Sequence, residues 1–420
     1  MKKTLLAILT LISFQIYAQD CGGRYETEIY DTVNVATVDF GSAVNAAGDT
    51  QILKMDIYTA QGDTGTNRPV VIFCFGGSFV GGARTSSELV SFARSFAKRG
   101  YVCASIDYRV AASAFDLLQE EKMVKVVFGA VQDGKAAIRY FRKDARNGNA
   151  LGIDSTQVFI GGTSAGGILA INLAYVDDVN KLTPTWQTWA AQIGGLEGNS
   201  GNPGYCSQPD GVFSFAGAVG DTSFIDANDV PFYSCHATGD QTVQYGYGKP
   251  INGLAPVYLY GSGDIETRMT NLGIYNSVDT YSGADHPPLN GTNLATTTTN
   301  LSTFLFNILD CNPNNLKHAD QQSCKNSTII PGDTVSGIAR LNHDNDLTVY
   351  PNPANNYIVV KSIVSFEQIA VVDILGRVVF NENFSKTLSR TIYLESLTEG
   401  TYFVKVMANG VWQTERLSVK

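Results

Sequence analysis

Gln157-Val158-Phe159-Ile160-Gly161-Gly162-Thr163-Ser164-Ala165-Gly166-Gly167, running on into Ile168-Leu169-Ala170-Ile171-Asn172-Leu173-Ala174, decides how the rest of the chain is read. It opens on a short apolar run, as a buried strand does, and continues with the Ala/Leu/Ile spacing of a buried helix. Between the two, Gly162-Thr163-Ser164-Ala165-Gly166 fits G-x-S-x-G. Set between strand and helix, that motif reads as a nucleophile elbow, a tight turn that lifts one serine hydroxyl above a sheet. The flanking positions must be small so that strand and helix can approach, which Gly162 and Gly166 satisfy. Ser164 then stands at a helix N-terminus, where the dipole favours developing negative charge, and the N–H of Ala165 is available to an oxyanion. The plain alternative is a glycine-rich strand–helix turn without chemistry.

The chain around it has 420 residues, 44% hydrophobic and 16% charged, enough for one large domain and a smaller one. A formal net charge of −9 argues against a nucleic-acid partner, which calls for a basic face. Met1-Lys2-Lys3, an apolar run from Leu5 to Ile12 and Ile16-Tyr17-Ala18 have the layout of a signal peptide over residues 1–18, cut after Ala18. That run is too short for a membrane span and no other stretch is long and apolar enough, so the expected product is exported, without a membrane span. Seven cysteines in an exported chain permit disulfides. Cys74, Cys103 and Cys235 lie in apolar runs and read as buried free thiols. Cys311 and Cys324 flank a polar loop and form the best local pair, with Cys21 and Cys206 as partners for others. No cysteine has metal-site spacing, and the serine chemistry read from the elbow needs neither metal nor cofactor.

Upstream, Glu28-Ile29-Tyr30 and Ile52 to Tyr58 alternate and read as antiparallel strands at a leading sheet edge. Pro69 to Phe75 is continuously apolar, a strand covered on both faces. It ends in the glycine-rich loop Gly76-Gly77-Ser78-Phe79, followed by Val80-Gly81-Gly82. There backbone N–H groups can face a substrate carbonyl, unless the loop is a plain turn. A helix over 86–99, a strand over 101–108, a helix over 124–142, the elbow, and strands over 212–219, 231–236 and 274–281 follow, with a closing helix over 301–309. Strands alternating with helices predict an α/β domain over 19–310 with a mostly parallel central sheet. The gap holding Trp186, Trp189 and Gly194 to Tyr205 is long for such a unit; it is either a wall or lid of the site or a local packing cluster.

A serine nucleophile needs a base, and histidine is the usual one because it titrates near neutrality. Of four histidines, His286 follows the last strand and precedes the closing helix. His236 closes a buried strand, which favours a packed or supporting role, and His318 and His343 fall in polar linker sequence. Asp240, after a glycine just past the 231–236 strand, is placed to orient the base; Asp264 and Asp285 are its rivals. The order Ser164, Asp240, His286 is Ser…Asp…His.

With these residues in hand, positions from about 50 to 310 resemble the α/β-hydrolase superfamily. The likeness is greatest to its carboxylesterase branch, which includes bacterial feruloyl and acetylxylan esterases. Gly76 to Phe79, Asp133 with Ala136-Ala137, Gly162 to Gly167, Gly239-Asp240 and His286 carry it. The resemblance implies a Ser164–His286–Asp240 triad and an oxyanion hole from the N–H groups of Gly77, Ser78 and Ala165. The chain departs from the family at Phe75, where histidine is frequent, and at Ser78, where glycine is. The implied activity is hydrolysis of carboxylic esters through an acyl-enzyme, with acetylated or feruloylated plant polysaccharide as the analogous target. A peptidase, a lipase or a catalytically silent binding module on the same fold is the alternative.

After Cys311 the sequence turns polar, giving a linker over 311–346. Residues 347–420 then alternate in short runs separated by turns at Leu375-Gly376-Arg377, Glu399-Gly400 and Asn409-Gly410, the pattern of a small all-β sandwich. By pattern alone this is a generic accessory module, for instance a glycan binder. Tyr350-Pro351-Asn352-Pro353, Asp373 to Arg377 and Leu397 to Tyr402 resemble the C-terminal sorting domain of type IX secretion. That resemblance implies the type IX machinery as partner, a tail that serves as an address, and an extracellular or cell-surface destination.

Overall fold

The structure, a computed structural model, describes residues 21–317, 347–373, 377–394, 397–408 and 411–420. The expected signal peptide, residues 318–346 of the expected linker with Cys324, His318 and His343, and the turns at Leu375-Gly376 and Asn409-Gly410 lie outside the described residues. The chain divides into two compact units, Met1–Pro331 and Gly332–Lys420.

In the larger unit the strands and helices are β1 (Val33–Val44), β2 (Thr50–Ala60), β3 (Arg68–Cys74), α1 (Ser87–Lys98), β4 (Val102–Ile106), α2 (Glu120–Arg146), β5 (Ile153–Thr163), α3 (Ala165–Tyr175), α4 (Pro184–Gln192), β6 (Gly211–Phe215), β7 (Ala218–Val219), β8 (Phe232–Ala237), β9 (Tyr247–Gly248), β10 (Leu259–Gly261), α5 (Ser262–Leu272), β11 (Asn276–Tyr281) and α6 (Thr292–Phe306). The main sheet has eight strands in the order β1-β2-β4-β3-β5-β6-β8-β11. From β4 to β11 neighbours run parallel, while β1 and β2 pair antiparallel at the leading edge. This is the expected α/β architecture, with one correction at its start. Glu28-Ile29-Tyr30 is not a strand; Ile29 and Tyr30 donate their N–H groups to Lys98 O, docking the segment on the end of α1.

Burial explains the pattern. Every residue of β3, β4 and β6 is buried, because helices cover both faces. The faces meet in an aromatic cluster in which Phe73 of β3 packs Phe92 and Phe96 of α1 and Phe213 of β6. In α1, Leu89, Phe92, Ala93, Phe96 and Ala97 recur at helical spacing and are all buried. β11 is only partly buried, as an edge strand is, which accounts for its weakly apolar sequence.

Elsewhere the structure changes or decides further readings. The run 212–219 breaks at Ala216, whose φ is +58°, so that β6 ends and β7 turns away into a separate three-stranded sheet, β7-β10-β9. The long gap between α3 and β6 is a packed strap over α2. Its helix α4 holds Trp186 and Trp189 partly buried against the core, with Trp186 Nε1 donating to Glu120 at 2.9 Å. Beyond α4 the strap satisfies charges that α2 buries. Lys135 and Arg139 pair with Glu197 at 2.6 and 3.0 Å, and Asp133 accepts from Ser200 Oγ at 2.6 Å. The disulfide also differs from the local pairing expected from sequence: Cys311 is bonded to Cys21, 290 positions away, and Cys206 is disulfide-bonded too. Cys74, Cys103 and Cys235 are free and buried. No described helix is long and apolar enough to cross a membrane.

The smaller unit contains β12 (Leu347–Tyr350), β13 (Tyr357–Asp373), β14 (Val378–Tyr393), β15 (Gly400–Ala408) and β16 (Val411–Val419). All pairings in this sheet are antiparallel. The long β13 pairs β12 with its first half and β15 with its second, changing partner across irregularities between Lys361 and Phe366. Ile358, Val360, Phe366, Ile369, Val404, Val406 and Leu417 form its core.

Candidate active site

Ser164 lies between the last residue of β5 and the first of α3, with φ +52° and ψ −113°. No β-branched or bulky residue tolerates that backbone easily, and serine holds it because its surroundings leave no other path. Its N–H is tied to Phe215 O of β6 at 2.7 Å. A Cβ at Gly162 would fall 2.1 Å from Cys74 O, and one at Gly166 2.2 Å from the same oxygen. Glycine is therefore required on both sides of the serine by the closeness of β3.

Ser164 Oγ lies 2.7 Å from His286 Nε2, and His286 Nδ1 lies 2.5 Å from Asp240 Oδ2. Three residues separated by 76 and 46 positions thus form one unbroken chain, with His286 in the loop after β11 and Asp240 in the loop after β8. Asp240 is 1% exposed. Burial alone would raise its carboxyl, but hydrogen bonds to His236 and His286, the charge of His286 and the Val243 N–H hold it down at about 2. Its Oδ1 accepts from the N–H groups of Thr242 and Val243 at 2.8 and 3.1 Å. Asp285 turns to the surface and accepts from Asn290 at 2.8 Å, and Asp264 lies in the first turn of α5; neither bonds His286.

The glycine-rich loop after β3 comes beside the serine. A Cβ on Gly76 would stand 3.2 Å from Thr163 O and 3.5 Å from Ser164 Cβ. Gly77, Ser78 and Phe79 all have positive φ, at 132°, 53° and 55°. The N–H groups of Gly77 and Ser78 have no acceptor among the described residues, and Ala165, first residue of α3, has no intrahelical acceptor for its own. Phe75 stacks on Tyr108 with ring centroids 3.9 Å apart, and Tyr108 donates its hydroxyl to Phe75 O at 2.6 Å. Aromatic packing thus fixes the loop's entry.

Two further residues stand near the chain of three. His236, fully buried, lies against Asp240. Glu88, in the first turn of α1, hydrogen-bonds Thr163, the residue before the serine. His236 was readable as a packed histidine; Glu88 had no local pattern to mark it. Among the described residues, no group of His, Cys, Asp and Glu is arranged to hold a metal ion.

The sheet order, the elbow and the histidine after the last strand define the larger unit as an α/β-hydrolase domain. The BD-FAE family model matches residues 55–197, and the secretion system C-terminal sorting domain model matches residues 348–420. No curated protein matches. Among solved structures, the chain is similar to Thermogutta terrifontis esterase 2 phosphorylated by paraoxon, at 24% identity and a TM-score of 0.48 over 66% of this chain and 96% of that one. It is similar also to the propionate-bound form of that planctomycete esterase, at 22% identity and a TM-score of 0.46 over 64% of this chain and 92% of the other. Residues 55–197 thus carry a BD-FAE domain, a match that supports a carboxylic ester hydrolase, and residues 348–420 a type IX secretion sorting domain.

Proposed function

We propose that this chain is a secreted serine esterase whose catalytic domain, residues 19–310, works through an acyl-enzyme. The observation that carries the reading is the continuous hydrogen-bonded chain Ser164–His286–Asp240. Ser164 Oγ attacks the ester carbonyl as its proton passes to His286 Nε2. The oxyanion is held by the N–H groups of Gly77, Ser78 and Ala165, groups left without acceptors among the described residues. Asp240, ionised and buried, keeps the Nδ1 proton of His286 in place and stabilises the imidazolium. The imidazolium protonates the departing alcohol, leaving the acyl group on Ser164. Water, deprotonated by His286, then attacks the acyl carbon, and the acid leaves as Ser164 regains its proton. No step calls for a cofactor.

The substrates we propose are acetyl or feruloyl esters of external polysaccharide. This step rests on the sorting tail, which sends the enzyme where such polymers are met, and on the expected signal peptide over residues 1–18. The linker over 311–346 and the tail over 347–420 would have no part in the chemistry. Labelling with a fluorophosphonate tests the nucleophile: wild-type protein should take up the probe and Ser164→Ala should not. Labelling that persists in the variant would reject the assignment.

A further inference from the structure

Glu88 precedes Thr163 by 75 positions, yet its carboxylate accepts a short hydrogen bond from the Thr163 hydroxyl. Thr163 is buried between the nucleophile and the glycine-rich loop, its Cγ2 3.3 Å from where a Gly76 Cβ would stand. Glu88 therefore grips the residue on which both the serine and the candidate oxyanion loop rest. Its surroundings are unusual for a half-buried carboxylate. The groups that act on it are Thr163 from β5, by its hydrogen bond, and His286 from the loop after β11, by its charge; Glu88 acts in turn on the buried, neutral Cys235 of β8. No lysine or arginine among the described residues pairs with it. Burial pushes its carboxyl above the ordinary glutamate range, while the Thr163 hydrogen bond and the charge of His286 pull it back. Its position in the first turn of α1 favours the anion. The cation it is placed to oppose is the imidazolium formed on His286 during turnover.

We propose that Glu88 is a positioning residue of the hydrolytic centre: it clamps Thr163 beside the nucleophile and, ionised, sets its charge against the His286 imidazolium. This rests on the Ser164–His286–Asp240 reading. Asp240 already compensates one side of the ring; a second carboxylate, in a partly dry site, stabilises the charge that appears only once the serine proton has moved. Its contribution falls on kcat rather than on binding.

The test is steady-state hydrolysis of p-nitrophenyl acetate by the full chain from pH 5 to 9, with Glu88→Gln, Glu88→Asp and Ser164→Ala beside wild type. Glu88→Gln keeps the shape and an acceptor for Thr163 but removes the charge. Its kcat should fall about three- to ten-fold with KM nearly unchanged. The acid limb of kcat/KM should move to lower pH by about half a unit or more, because an anion near a base holds the proton on it. Glu88→Asp, which keeps the charge, should hold the wild-type acid limb even where its shorter reach lowers kcat. A Glu88→Gln profile superimposable on wild type, or a lower kcat with an unmoved acid limb, overturns the proposal. Should wild type itself show no turnover beyond Ser164→Ala, the triad reading fails and the inference with it, a result distinct from failure at Glu88 alone.

Discussion

His236 Nε2 lies 3.3 Å from Oδ2 of Asp240, the same oxygen that receives His286 Nδ1. The same nitrogen is 2.9 Å from Val243 O, a carbonyl that can only accept, so Nε2 carries the proton. Nδ1 then accepts from Ser262 Oγ at 2.8 Å, and Ser262 is in turn 2.7 Å from Ser234 Oγ. His236 is thus a fully buried strut between β8, α5 and the loop that carries Asp240. His236→Phe fills the space and strands Val243 O and Ser262. It should cost about 1–3 kcal/mol, read as a lowered urea midpoint, and reduce kcat through a displaced Asp240. An unchanged midpoint would mean that the network adds nothing.

The depressed carboxyl of Asp240 makes a signed statement about pH. A carboxyl held near 2 in the folded state and near 3.8 when unfolded binds fewer protons folded than unfolded. Its stabilisation is present above the unfolded value and is lost as pH falls from about 4 toward 2. Urea midpoints measured across that window should drop more steeply for wild type than for Asp240→Asn. Parallel slopes would remove Asp240 from the acid lability of the fold.

The turn after β5 stores strain at Ser164, the proposed nucleophile. Ser164 holds φ +52°, where a Cβ is penalised by about 1–3 kcal/mol. Ser164→Gly should therefore be more thermally stable than Ser164→Ala while both are inactive. At Gly166 the reverse holds, since Gly166→Ala drives a Cβ into Cys74 O and should unfold at a lower temperature. Calorimetric Tm values for the three variants check both signs.

Cys21 and Cys311 join the two ends of the larger unit across 290 positions. A bond closing so long a loop restricts the unfolded chain strongly, and Cys21→Ser should lower stability by about 2–5 kcal/mol. Urea unfolding with and without reductant measures it. Reductant should move the wild-type midpoint toward that of the variant, and a wild-type curve unmoved by reduction would contradict the claim.

What could be read from sequence followed the range of the information. The elbow is local: Gly162, Ser164 and Gly166 fall within five residues, and their spacing already demands the close approach that Cys74 O makes. The meeting of Asp240 and His286 was legible because each follows the C-terminal end of a strand, and a parallel sheet gathers those ends at one edge. The Cys21–Cys311 bond was not, because nothing local marks a pairing across the whole unit, and the nearer Cys324 competed for it on spacing alone. The break after Phe215 was hidden by an apolar run that continues without pause while Ala216 takes a positive φ. Nothing local marked Lys135 and Arg139 on α2 as buried; only the strap carrying Glu197 turns that face of the helix into an interior. Glu88 was invisible for the same reason, its partner lying on another element.

The most direct test of the account is hydrolysis of p-nitrophenyl acetate, p-nitrophenyl butyrate and methyl ferulate by the wild-type protein and Ser164→Ala in parallel. The account predicts turnover by the wild type on at least one ester, falling in the folded variant to the uncatalysed rate. Equal rates for the two proteins on every ester would contradict it.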